Sequence, residues 1–131
     1  MAKVKYYEIE DEIYHKNFHL MVNVKKETFK NWLIEVHGKL SKNTKKQFDD
    51  AQAMVNWEYA PYYYLWIEEF DWTINQQAVL IHELSHFADY VLTNAGISIG
   101  IENTEVRAYY LEYLVKKVYE KLKNLHHKKA K

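Results

Sequence analysis

Two histidines and a glutamate stand within an otherwise apolar stretch of the chain. The stretch reads AVLIHELSHFADYV over residues 78–91 and contains His82, Glu83 and His86. Imidazole and carboxylate groups are costly to bury without a partner, so these residues need one. Histidines four residues apart lie on one face of a helix, where they can bind the same metal ion. A glutamate beside the first histidine can act on metal-activated water, so the HExxH spacing predicts a hydrolytic zinc site. A core helix with two incidental histidines is the alternative interpretation.

A third ligand must come from elsewhere in the chain. Catalytic zinc takes three protein ligands and keeps one position for water. The chain contains no cysteine, so the third ligand has to be another His, Asp or Glu. The segment ENTEVRAYYLEYL, residues 102–114, offers Glu102 and Glu105, the latter three residues before Ala108. The alternative for Glu105 is an ordinary first-turn glutamate that complements the helix dipole.

Two helices are predicted to carry these residues. Thr73 and Gln76 have the spacing of a capping box, so one helix should begin near residue 74. It can continue to about residue 95, because Gly96 is a typical residue just beyond a helix C-terminus. A second helix is predicted from about residue 103 to residue 125. Its predicted apolar side consists of Val106, Tyr109, Tyr110, Tyr113, Leu114 and Val118.

Strands are predicted mainly in the first half of the chain. Residues 3–10 and 18–24 are rich in β-branched and aromatic side chains. Two more strands are predicted at residues 51–57 and 62–69. The strand at 62–69 precedes the HExxH helix, so it could line a cleft and pair with an extended peptide.

Between the two pairs of strands, one helix and one connection are predicted. Phe29, Trp32, Leu33, Val36 and Leu40 are spaced by three and four, which is typical of an amphipathic helix. Residues 38–50 are polar and Lys-rich, and we interpret them as an exposed connection.

Length and composition predict one domain over residues 1–131. The chain is 48% apolar and 16% aromatic, which favours a folded core over disorder. The residues with site spacing fall within about 73–118, and 124–131 is predicted to be a flexible basic tail. The formal net charge is zero, so nucleic acid is not an expected partner. No apolar run has the length of a signal peptide core or a membrane span, and we expect a cytoplasmic protein with no membrane partner.

The segments HELSHFADYVLTNAGI and ENTEVRAYYLEYL resemble the active-site segments of small metallopeptidases encoded by phages and prophages. An HExxH helix followed by a helix with a glutamate ligand is the plan of the gluzincin metallopeptidases. The chain is more distantly similar to bacterial peptidases that cut phage-type repressors. This resemblance implies an α+β zincin-like domain in which a small mixed sheet packs on the HExxH helix. The C-terminal helix would carry the third ligand.

The resemblance also implies a role for each matching residue. His82 and His86 correspond to the histidine ligands of Zn²⁺, Glu83 to the catalytic base and Glu105 to the third ligand. The substrate would be a peptide or a protein. Among the larger gluzincins an aspartate stands four residues after the glutamate ligand, where this chain has Tyr109.

A second departure is that no histidine follows Glu105 before His126. An oxyanion partner could instead be Arg107, Tyr109 or one of the tyrosines at 62–64. Arg107 could equally pair with a nearby carboxylate, and Asp89 could orient a ligand or simply face solvent. These departures leave a second hypothesis open, a zincin-fold binding protein with weak or no catalysis, such as a phage or prophage accessory protein. The sequence gives no oligomeric state.

Overall fold

A mixed β-sheet of four strands forms the centre of the fold. The computed structural model describes residues 5–125. The elements in chain order are β1 (Tyr7–Ile9), β2 (Phe18–Val22), α1 (Lys26–His37), α2 (Lys42–Phe48), β3 (Ala53–Tyr59), β4 (Tyr62–Ile67), α3 (Ile74–Asn94), a 3₁₀ turn (Ile101–Asn103) and α4 (Thr104–Leu122). The α+β class and the small mixed sheet are therefore confirmed.

The strand order in the sheet is β1-β2-β4-β3. β2 and β4 are parallel, whereas β1 pairs with β2, and β3 with β4, in antiparallel fashion. Successive side chains of a strand point to opposite faces. Leu65 accordingly packs with α3 and α4, while Tyr64 and Trp66 pack with α1 and α2. Because both faces are covered, the strands are apolar and aromatic almost throughout, and β1 and β3 form the two edges.

The HExxH helix is confirmed with nearly the predicted bounds. At its start the Thr73 hydroxyl accepts a hydrogen bond from the Gln76 N–H at 3.2 Å. The Gln76 side chain accepts from the backbone N–H of Asp71, so only half of the capping box forms. At its end Gly96 has a φ of 86°, a conformation that glycine adopts without strain. α3 packs against the sheet through Leu80, Leu84, Phe87, Ala88, Val91 and Leu92.

The prediction that residues 38–50 form an exposed connection is wrong, because residues 42–48 form α2. The Ser41 hydroxyl caps this helix by accepting from the Thr44 N–H at 3.0 Å. Leu40, Thr44 and Phe48 are buried and stand four residues apart, so they form one buried stripe. The lysines between them masked this stripe in the sequence.

The apolar side predicted for the last helix is partly wrong. Tyr110, Leu114, Val118 and Leu122 are buried at a spacing of four residues. Tyr109 is 68% exposed because it lies on the opposite side of α4, and Val106, in the first turn of the helix, is 38% exposed. Over residues 5–125, no helix has the length and apolar character needed to cross a membrane. The predicted basic tail falls largely at 126–131, outside the described residues.

Candidate metal centre

α3 presents His82 and His86 on the face that points away from the core. Each residue of an α-helix advances by about 100°, so residues four apart nearly superpose when viewed along the axis. The buried Leu84 and Phe87 hold the opposite face against the sheet, and both histidines are exposed. The core side of the helix thus fixes the direction in which the two imidazoles project.

The two imidazoles contact each other through their Nε2 atoms, at hydrogen-bond distance. Their Nε2 atoms lie 3.2 Å apart, and the rings are nearly perpendicular at 87°. Two nitrogens that are each about 2.0–2.1 Å from one tetrahedral zinc ion lie about 3.3–3.4 Å apart. The separation of the His82 and His86 nitrogens therefore fits two ligands of a single zinc ion.

Glu83 lies on the flank of α3 that faces β3. Its side chain is half-buried and lies close to the backbone of Val55. Burial raises the pKa of the Glu83 carboxyl above its usual value, whereas His82, His86 and the hydrogen bond with the Val55 backbone act in the opposite direction. The Glu83 carboxylate thus lies near enough to both imidazoles to interact with them electrostatically.

The third predicted ligand does not join this group. Among residues 5–125, no three His, Asp or Glu side chains are arranged to hold a metal ion. Glu102 and Glu105 are both exposed. The side of α4 that faces α3 carries Arg107 instead. Glu105 as a zinc ligand stays a prediction.

Arg107 and Asp89 pair with each other across α3 and α4. The Arg107 Nε lies 2.5 Å from Asp89 Oδ1, and a second guanidinium nitrogen donates to the Ser85 hydroxyl at 2.6 Å. The hydrogen bond with Asp89 raises the pKa of Arg107. Arg107 is therefore the partner of a nearby carboxylate, the alternative that the sequence left open. Asp89 accepts hydrogen bonds from Arg107 through both of its carboxylate oxygens. Tyr109, which the sequence offered as another oxyanion partner, is exposed.

The prediction that the strand at 62–69 pairs with a peptide is wrong, because β4 lies between β2 and β3. Tyr63 and Tyr64 are only 6% and 1% exposed. Tyr62 contacts His37 of α1, on the sheet face opposite α3. None of these tyrosines lines the space beside the histidines.

An open groove between α3 and the edge strand β3 lies beside the histidines instead. It consists of two cavities, of about 320 Å³ on the His86 side and about 640 Å³ on the His82 side. Both cavities are lined by Ala53 and Glu83, so the glutamate stands where they meet. Sequence reasoning missed this groove, because it forms only where the fold brings α3 beside β3.

The free edge of β3 carries backbone groups that can pair with another strand. The Gln52 carbonyl accepts a hydrogen bond from the Glu68 N–H at 2.9 Å. Residues 52 and 68 are therefore a hydrogen-bonded pair at the end of the β3–β4 ladder. In an antiparallel pair the bonded residues alternate, so the N–H and C=O of Ala53 and Val55 point away from β4. At Val55 both groups already have side-chain partners: Gln47 donates to the carbonyl at 3.2 Å, and Glu83 accepts from the N–H. Ala53 is therefore the residue whose outward backbone groups are open to another strand.

No protein-family model, curated protein or solved structure matches the chain.

Proposed function

We propose that this chain is a zinc-dependent metallopeptidase with a zincin-like plan, similar to the small enzymes of phages and prophages. The observation that carries the proposal is the 3.2 Å separation of the His82 and His86 Nε2 atoms on the outer face of α3. The half-buried carboxylate of Glu83 beside them is the second support. Metal ligands and a base thus stand at the mouth of one groove.

Zinc held by His82 and His86 would polarise a peptide carbonyl and lower the pKa of a water molecule to about 7. Glu83 is the base in this proposal: it accepts the proton of the attacking water and delivers it to the leaving amine. Its place between the two cavities suits this role, because a peptide lying along the groove would pass directly over its carboxylate.

Glu105 remains the proposed third ligand, with Glu102 as the alternative. Both glutamates are exposed at the N-terminal end of α4. The segment that leads into α4 is also exposed, with Ile99 at 62% and Ile101 at 88%. The side chains of both glutamates are therefore not fixed by packing against α3.

The edge strand β3 is the proposed site of substrate pairing. An extended peptide can add to a free sheet edge through main-chain hydrogen bonds, which bind it independently of its sequence. Ala53 directs its N–H and C=O to this edge. At Val55 the carbonyl is held by Gln47 and the N–H by Glu83, so an incoming strand would replace both side-chain contacts there.

Hydrolysis of a mixed peptide library tests the proposal. Zinc-loaded protein is expected to cleave peptides, and both a chelator and Glu83→Gln should stop the cleavage while Glu83→Gln retains zinc. Loss of a general base lowers rates by about 100-fold to 10,000-fold. Glu35→Gln is the matched control, since it removes an exposed carboxylate on α1. Zinc-loaded protein that cleaves nothing, or cleaves equally well with Glu83→Gln, would overturn the proposal.

A zincin-fold binding protein without turnover is the second candidate. It is favoured by the absence, among residues 5–125, of a third acidic group next to the histidines. In this case zinc or peptide binds, but no bond is broken. Cleavage that disappears with Glu83→Gln excludes this candidate.

A further inference from the structure

The two ends of the groove differ in chemistry. On the His86 side the lining includes Met54, Val55 and Trp57. On the His82 side it includes Asp50, together with the amides of Gln52 and Asn75. An extended ligand that fills the groove would therefore meet an aromatic surface at one end and a carboxylate at the other.

The aromatic end is built by a stack between the sheet and the helix. The rings of Trp57 on β3 and Tyr90 on α3 lie 4.5 Å apart between centroids, at an interplanar angle of 11°. Tyr90 also contacts Tyr63 at 5.9 Å, so the stack is supported from the sheet. A broad, partly exposed indole held in this way suits a large apolar or aromatic side chain.

The acidic end is formed by Asp50 in the connection between α2 and β3. Asp50 is exposed and has no hydrogen bond or ion pair with any residue in the described part of the chain. Its backbone has a φ of 60°, which directs the connection into the start of β3. A carboxylate without a partner at the end of a groove favours a cationic side chain in the ligand.

The distance between the ends sets the spacing in the ligand. Gln52 lines only the acidic half and Trp57 only the aromatic half, and five residues of a strand span about 17 Å. Two peptide residues four positions apart lie about 13 Å from each other, and the long side chain of a Lys or Arg covers the remaining distance. Positions i and i+4 of an extended peptide lie on the same face, so both side chains can turn toward α3.

We infer that the groove selects extended peptides in which a large apolar side chain, at the Trp57–Tyr90 stack, stands about four residues from a Lys or Arg at Asp50. This inference rests on the proposed function, because it names the substrate class of the same groove. The substrate would have an apolar side chain on one side of the cleaved bond and a cation on the other.

Peptides of matched length test the inference. The probes are dye-labelled, end-blocked Phe-Ala-Ala-Ala-Lys and its reverse, each with versions that carry Glu for Lys or Ala for Phe. Binding is measured with Glu83→Gln protein and hydrolysis with the wild type. In whichever of the two peptide orders binds more tightly, the Lys peptide should bind about threefold to fivefold more tightly than the Glu peptide, as expected of an exposed charge pair. Phe should exceed Ala by about threefold to tenfold.

Asp50→Asn is the decisive variant, since asparagine tolerates the same backbone conformation. It should remove the preference for Lys over Glu. Asp49→Asn, at the adjacent exposed carboxylate outside the groove lining, should retain it. A wild type without the preference, or a preference that survives Asp50→Asn, overturns the inference.

The two proposals fail separately. Selective binding without any hydrolysis would support the selectivity and overturn the peptidase. Hydrolysis of every probe at one rate would support the peptidase and overturn the selectivity.

Discussion

At the scale of single residues, the candidate centre depends on the direction in which α3 is held. The buried Leu84 and Phe87 fix one side of the helix, and this leaves His82 and His86 together on the other. Glu83 stands between the imidazoles and the sheet and can therefore meet a ligand from the groove. One turn of helix thus carries both proposed metal ligands and the proposed base.

The third ligand gives the first prediction. Glu105→Gln should weaken zinc affinity by about 100-fold or more, because even partners of metal ligands contribute about 10-fold to 100-fold. The measurement is competition with a fluorescent zinc chelator. Glu102→Gln is the matched control, at an equally exposed glutamate three residues earlier. Equal affinity of the two variants contradicts Glu105 as a ligand, and a loss confined to Glu102→Gln would assign the role to Glu102.

At the scale of elements, the edge strand β3 is the part of the sheet that another chain can reach. Its residues Ala53 and Val55 direct their backbone groups away from β4. The inner strand β4 has neighbours on both sides and offers no such groups. We therefore propose β3, and not β4, as the strand that pairs with a substrate.

Ala53→Pro tests this edge. Proline lacks the N–H that would pair with a peptide, but it is tolerated on an edge strand where that N–H faces outward. We expect peptide affinity to fall by about threefold to tenfold, the value of one hydrogen bond, with little change in melting temperature. Ala53→Ser keeps the N–H and is the control. Unchanged peptide binding by a folded Ala53→Pro protein would place the substrate elsewhere.

The β1–β2 loop is fixed to α4 by Asp11, a carboxylate that is only 1% exposed. It accepts hydrogen bonds from the Tyr110 hydroxyl at 2.7 Å and from the backbone N–H of Ile13 at 3.0 Å and Tyr14 at 3.2 Å. Buried donors that lose their acceptor cost free energy, since water cannot replace it.

Asp11→Ala should therefore lower the free energy of unfolding by about 2–4 kcal/mol. Chemical denaturation followed by tryptophan fluorescence measures the change. Asp49→Ala, at an exposed aspartate, is the control and should change the value by less than about 0.5 kcal/mol. If Asp11→Ala lowers the free energy of unfolding no more than Asp49→Ala does, the β1–β2 loop does not depend on the Asp11 carboxylate.

The elements differ in how far the sequence predicts them. α3 was predictable because the cap at Thr73, the glycine after its C-terminus and the spacing of its apolar residues all indicate the same helix. α2 was missed because its buried Thr44 and Phe48 stand among lysines. The groove was missed because it depends on strand order and on where α3 lies, which local patterns do not encode. HExxH predicted three site residues, whereas Asp50 and Trp57 reach the same groove only through the fold.

At the scale of the whole molecule, two apolar clusters lie on opposite faces of the sheet. One packs under α3 and α4 and supports the candidate centre. On the other face, His37 lies 2.5 Å from the Tyr64 hydroxyl, and His19 packs between Tyr6 and Tyr64. Burial raises the pKa of Tyr64 to about 12, so its hydroxyl stays protonated.

Stability should fall in mild acid because of these two histidines. Burial lowers the pKa of both His19 and His37 below the usual 6.5. Below pH 6.5 the unfolded chain therefore binds more protons than the folded one, and the free energy of unfolding decreases as pH falls. Denaturant titrations between pH 7.5 and 5.5 should show a weaker pH dependence for His37→Gln than for the wild type. His15→Asn, at an exposed residue, should leave the slope unchanged, and an unaltered slope with His37→Gln contradicts this assignment.

The central claim is that α3 binds zinc through His82 and His86, and zinc content after equilibrium dialysis tests it most directly. We predict one zinc ion per wild-type chain and loss of that zinc with His86→Gln, while His15→Asn retains it. A wild-type chain that takes up no zinc, or a His86→Gln chain that holds as much as the wild type, would contradict the claim.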